Sequence, residues 1–88
     1  MYEVYILYSL KDQDLYVGQT NNLEKRLIEH RQGKIKSTKN RQPLVIIHRE
    51  SFSTRREAMK REKFLKSLYS ARFKRRILKE YLEKSQKF

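Results

Sequence analysis

The chain contains no cysteine. No disulfide therefore holds the fold, and a thiolate zinc site is excluded. It has only two histidines, His30 and His48, which form no cluster at zinc spacing, and only two glycines, too few for a glycine-rich phosphate loop. No stretch approaches the roughly 20 apolar residues of a membrane span. The apolar run at 4–8, preceded by Glu3, is too short for a secretory leader. A cytoplasmic protein with no membrane partner is the expectation. Acidic residues are also scarce, with 10 Asp and Glu against 22 Lys and Arg.

What is present fits one small domain. Eighty-eight residues, 38% apolar and 36% charged, leave room for a single modest core. Val, Ile, Leu, Phe and Tyr recur in periodic blocks, which argues against disorder. The net charge of +12 is unevenly spread. Residues 55–88 hold 13 basic and 4 acidic side chains, and residues 31–49 hold six basic and no acidic ones. Such asymmetry points to a polyanionic partner, with nucleic acid ahead of an anionic membrane, because each neutralised phosphate releases counterions. A merely well-solvated surface is the bland alternative.

Residues 2–9 read as a strand with Val4, Ile6 and Tyr8 on one face, and 15–18 as a second strand after the turn-like 11–14. A hairpin closing around Asp12 and Gln13 would set Tyr16 opposite Ser9. Tyr5 and Tyr16 would then lie on the face away from the core, without direct contact. Asn21 or Asn22 can cap a helix to about 32. With Asn21 as cap, Glu24 completes a capping box, and Gly33 suits the position past the end. A basic loop, 34–43, leads to an apolar third strand at 44–52. Thr54 and Glu57 form a second capping box for a helix to about 68. Ser70 can cap a third helix carrying the stripe Phe73, Ile77, Leu78, Tyr81 and Leu82. The expectation is an α+β domain, a three-stranded antiparallel sheet with a layer of three helices in the order β-β-α-β-α-α. It covers 1–83, and 84–88 is a frayed tail.

Several residues could carry chemistry. Tyr5 and Tyr16 are ordinary strand residues when taken singly. Arg26 and His30, four apart on one helix flank, could grip a phosphate and move a proton. Glu62 falls in the helical arc of Ala58, Leu65 and Tyr69, where a carboxylate needs a partner. A divalent cation or an ion pair with Lys66 would each supply one. His48 reads as packed or surface-exposed. Lys34, Lys36, Lys39 and Arg41 could contact phosphates, as could Ser37 and Thr38, although a flexible basic loop has the same composition.

Together these residues resemble a GIY-YIG nuclease domain. Glu3-Val4-Tyr5 stands in place of the GIY triplet and Tyr16-Val17-Gly18 in place of YIG. Arg26, His30 and Glu62 follow at matching intervals, and the similarity spans about residues 2–68, as in the small stand-alone members. Two departures are visible: Glu3 replaces the glycine of GIY, and no asparagine follows Glu62. The resemblance implies a metal-dependent endonuclease that nicks single strands of DNA in repair or recombination. Glu62 would hold Mg²⁺ or Mn²⁺, Tyr16 would accept a proton from water, and Tyr5 would orient it. Arg26 would stabilise phosphoryl charge and His30 would assist proton transfer. DNA is the expected partner ahead of RNA, with the chain acting as a monomer or weak dimer. A non-catalytic nucleic-acid-binding module on the same fold is the alternative, and a protein-interaction adaptor is a third reading.

Overall fold

The computed structural model describes residues 1–85. Three strands and three helices follow one another: β1 (Tyr2–Ser9), β2 (Leu15–Thr20), α1 (Leu23–Arg31), β3 (Leu44–Phe52), α2 (Arg55–Leu65) and α3 (Ala71–Ser85). A single 3₁₀ turn at Leu68–Ser70 separates α2 from α3. The sheet is antiparallel in the order β2-β1-β3, so β1 is central. The α+β class and the β-β-α-β-α-α order are as the sequence predicts. The stretch expected to fray is helical through Ser85, and 86–88 lie outside the described residues.

The helices do not form one layer. On one face Val4, Ile6 and Val17 pack with Ala58, Leu65 and Ile77 of α2 and α3. On the other face Tyr5 and Leu7 pack with Leu23 of α1, flanked by Tyr16, Leu27, Leu44 and Ile46. The central strand is accordingly buried on both sides from Val4 to Tyr8, which is why its residues are apolar or aromatic at consecutive positions. A register shift between Ile6 and Leu7 marks a bulge in β3, where Ile6 faces His48 but Leu7 faces Ile46. The unpaired Ile47 thereby joins the same core as Val4 and Ile6.

The hairpin register differs from the simple expectation. Tyr16 faces Leu7, not Ser9, and Tyr5 faces Gly18. The turn is longer because the Ser9 hydroxyl accepts the Lys11 and Asp12 amides at 3.2 Å while donating to the Arg41 carbonyl at 2.6 Å. Asn22, not Asn21, caps α1 by accepting the Lys25 amide at 3.1 Å. Thr54 caps α2 as expected, accepting the Glu57 amide at 3.2 Å, but the Glu57 carboxylate closes on the Thr54 hydroxyl, accepting it at 2.9 Å, and not on the amide that a full capping box engages. Ser70 does not cap α3. It is fully buried and donates to the Leu65 and Ser67 carbonyls, closing the end of α2 instead. Since α2 stops at Leu65, Tyr69 leaves the apolar arc and is 91% exposed.

Candidate active site

The site is built around Gly18. A side chain there would run into the Tyr5 phenol and approach Cε1 of Tyr16 to 3.0 Å. With hydrogen in that place, the Tyr5 ring lies across the backbone of β2, and glycine in a strand marks this kind of close approach. The Tyr5 and Tyr16 rings meet with centroids 6.3 Å apart. His30, reaching in from α1, stands edge-on to both at 5.8 and 5.2 Å. The face that was expected to lie away from the core thus holds a second, aromatic core.

The polar atoms in this cluster form a chain. Tyr5 Oη lies 3.0 Å from His30 Nε2, and His30 Nδ1 lies 2.7 Å from Thr38 Oγ1. The Thr38 hydroxyl also reaches the Ile35 carbonyl at 3.5 Å. A carbonyl can only accept, so Thr38 donates there and accepts Nδ1–H. By this network His30 is the Nδ1–H tautomer, and Nε2 accepts the Tyr5 hydroxyl. His30 and Thr38 are both fully buried. Burial first, and then the Arg26 charge, lower the His30 pKa against the opposing Glu29, so the ring stays neutral. Burial likewise pushes the Tyr5 phenol well above its ordinary value, aided by neighbouring Tyr16 and opposed by Arg26. Glu62 adds to that rise, so its charge is felt at Tyr5 from α2.

Tyr16 is half-buried and keeps one side towards solvent. Arg26 pairs loosely with Glu29 at 3.7 Å and lines a polar recess of about 130 Å³ with Thr20, Asn21 and Arg55. Arg55, the first residue of α2, escaped the sequence reading. Glu62 is half-buried and pairs with Lys66 at 3.2 Å, so the ion-pair reading of this residue holds. Among the described residues no group of three or more His, Asp or Glu could hold a metal. One Glu62 oxygen meets Lys66, and the other has no hydrogen bond among the described residues. A single free-edged carboxylate fits a hard cation that keeps its waters and takes phosphate oxygens, not one that requires a protein cage.

The basic loop is folded, not loose. Thr38 plugs it into His30, and Arg41 binds Asp12 at 2.8 Å and the Leu15 carbonyl at 3.4 Å. Lys34, Lys36 and Lys39 remain exposed. The roles of Gly18 and Thr38 were the main features missed. A glycine inside a strand was a usable signal, whereas nothing local marked Thr38. Glu3, in the place of a glycine, is bound by Arg49 and accepts the Ser51 hydroxyl at 3.1 Å. His48 is occupied by Glu50 at 2.7 Å, and Arg61 grips the same carboxylate at 2.7 and 3.0 Å. Burial would raise the Glu50 pKa, but the Arg61 and His48 hydrogen bonds outweigh it and hold it low.

Comparison with known proteins agrees with this geometry. Residues 1–77 match the family described as the GIY-YIG catalytic domain. A UPF0213 protein of Staphylococcus haemolyticus is 42% identical over 78 residues, covering 88% of this chain and 93% of that protein. A UPF0213 protein of Natronomonas pharaonis is 41% identical over 78 residues, covering 88% of this chain and 91% of that protein. The solution NMR structure of a UPF0213 protein from Bacillus halodurans superposes with a TM-score of 0.54 at 34% identity, covering 90% of this chain and 84% of that one. With the Tyr5–Gly18 crossing and the buried His30 in place, the chain belongs to the GIY-YIG catalytic-domain family, whose members are typically nucleases.

Proposed function

We propose that this protein is a metal-dependent endonuclease that hydrolyses phosphodiester bonds in DNA, nicking one strand at a time in repair or recombination. One observation carries the reading: Tyr5, Tyr16 and His30 converge over Gly18, with the Arg26 charge felt at Tyr5 and His30 and the Glu62 charge at Tyr5. Glu62 would hold Mg²⁺ or Mn²⁺, which when bound neutralises phosphate charge and activates oxygen. Tyr5 is a donor locked onto His30 and kept protonated by burial. That leaves the more open Tyr16 to receive the proton of the attacking water. Arg26 would stabilise the charge that develops on the phosphoryl oxygens. Lys34, Lys36 and Lys39 would hold the flanking backbone, with Arg41 bracing the loop from Asp12. One base set and one carboxylate suit one cut per visit, as for a monomer or weak dimer.

The test is plasmid nicking with Mg²⁺ or Mn²⁺ by wild type, Tyr16→Phe, Arg26→Ala and Glu62→Ala. Loss of nicking in all three variants is expected. Equal nicking by all four proteins would remove the residue assignments. The lone carboxylate, already paired with Lys66, favours a second reading, a module that binds nucleic acid without cutting it. In that case no substrate is cut, and Glu62→Ala binds as well as wild type or better.

A further inference from the structure

The most exposed large hydrophobic side chains among the described residues stand side by side. Leu68 and Tyr69, on the 3₁₀ turn, are 93% and 91% exposed. The turn that displays them is firmly held. Buried Ser70 donates to the Leu65 and Ser67 carbonyls at 2.9 and 2.8 Å, and Ser67 donates to the Phe64 carbonyl at 2.6 Å. Holding a tyrosine and a leucine out in water adds nothing to the fold, and such display marks a contact surface.

Lys66 and Ala71, on either side of this turn in the chain, both line a cleft of about 520 Å³. Its other walls include Tyr16 and Asp14 near the edge strand β2, and Lys74, Arg75 and Leu78 of α3. Lys66 is paired with Glu62, which leaves Lys74 and Arg75 against one carboxylate, and Asp14 is turned back onto its neighbour, accepting the Leu15 amide at 2.8 Å. The cleft is also continuous with the catalytic cluster, because Tyr16 belongs to both and Lys66 touches Glu62.

We propose that the cleft and its turn bind unpaired nucleotides of the strand being acted on, with phosphates on Lys74 and Arg75 and a base stacked on Tyr69. Stacking on a tyrosine is indifferent to sequence but needs a free base face, which a closed duplex does not offer. This deepens the proposed function by naming the form of its substrate, and it rests on that reading only for the polyanionic partner.

The chain has no tryptophan, so Tyr69→Trp introduces a single reporter at a site too exposed to disturb folding. Titration with an oligo-dT strand in EDTA, where no cut occurs, is expected to quench that fluorescence. Tyr69→Ala is expected to weaken the single strand on the order of tenfold, and a closed hairpin duplex less than twofold. Lys74→Ala with Arg75→Ala should lower the salt slope by about 1.4, at roughly 0.7 for each phosphate contact on a single strand. Lys60→Ala with Lys63→Ala, an equal loss of charge on α2 outside the cleft, should lower it less. Binding without quenching overturns the site, as does an unchanged Tyr69→Ala or an α2 pair that matters as much as the α3 pair. If the single strand is bound as described but never cut, the reaction falls and the site stands. If DNA is cut and Tyr69 is irrelevant, the site falls and the reaction stands. No binding to any oligonucleotide overturns both.

Discussion

Gly18→Ala isolates the contact on which the site is built. The φ of Gly18 is not in the left-handed region, so alanine is allowed by the backbone. In a strand interior it would by itself add about 0.5–1 kcal/mol of stability. Against that, the new methyl falls inside contact distance of both Oη and Cζ of Tyr5, a side chain only 1% exposed. Forcing an extra carbon into a packed core costs about 1–3 kcal/mol. Moving the ring also breaks the 3.0 Å bond to His30, leaving buried polar atoms unpaired at a further cost of about 1–3 kcal/mol. The net loss should be about 1–5 kcal/mol, from a total of about 4–13 kcal/mol for a chain of this length. Urea unfolding followed by circular dichroism reads this directly. With a slope near 1 kcal/mol per molar for a small domain, the midpoint should fall by roughly 1 M or more. Tyr5→Phe should not rescue Gly18→Ala, because the ring carbon collides as well as the oxygen. Tyr5→Leu should do so, with the double variant at least about 1 kcal/mol more stable than additivity requires. A Gly18→Ala protein with an unchanged or higher midpoint would refute the crossing of Tyr5 over Gly18.

Three further outcomes follow from the same geometry. Thr38→Val removes the partner of a buried imidazole nitrogen and should cost about 1–3 kcal/mol in urea unfolding, with Thr38→Ser close to wild type. Equal losses in both would remove the hydrogen bond as the cause. Because burial lowers the His30 pKa, the unfolded chain takes that proton more readily than the folded one. Its contribution to stability is therefore full above about pH 6.5 and lost as pH falls below it. His30→Gln should flatten the profile between about pH 8 and 5.5, and an identical slope in both proteins would contradict the assignment. The Asp12 carboxyl, held down to about 2 first by its hydrogen bond from Arg41 and then by the Asp14 amide, should rise in Arg41→Ala but stay below the ordinary value of about 3.9 when followed by NMR. No movement would show that the Arg41 contact does not form in solution.

The local rules read from single segments mostly survive because they depend on local physics. Strand alternation, the Thr54 cap and the order of elements need only a few neighbouring residues, and each appears in the structure. The reading failed where a distant residue intervened. The hairpin register depends on Ser9 being occupied by Arg41 from another loop, and the bulge at Ile47 depends on β1 demanding partners on both faces. Ser70 was read as the start of α3, but burial turned its hydroxyl towards α2.

The site divides in the same way. Tyr5, Tyr16, Arg26, His30 and Glu62 could be named from spacing, because period 2 in strands and period 3.6 in helices set which side chains share a face. Whether those faces meet is not a local property. Only the packing of α1 onto the sheet brings His30 to Tyr5, and only the missing side chain of Gly18 lets the phenol cross β2. The sequence by itself determined the element order, the basic charge and the family motif. The tertiary structure alone decided that Thr38 orients His30 and that Arg41 braces a loop, because hydrogen bonds between residues 8 and 29 positions apart exist only after the chain has closed on itself.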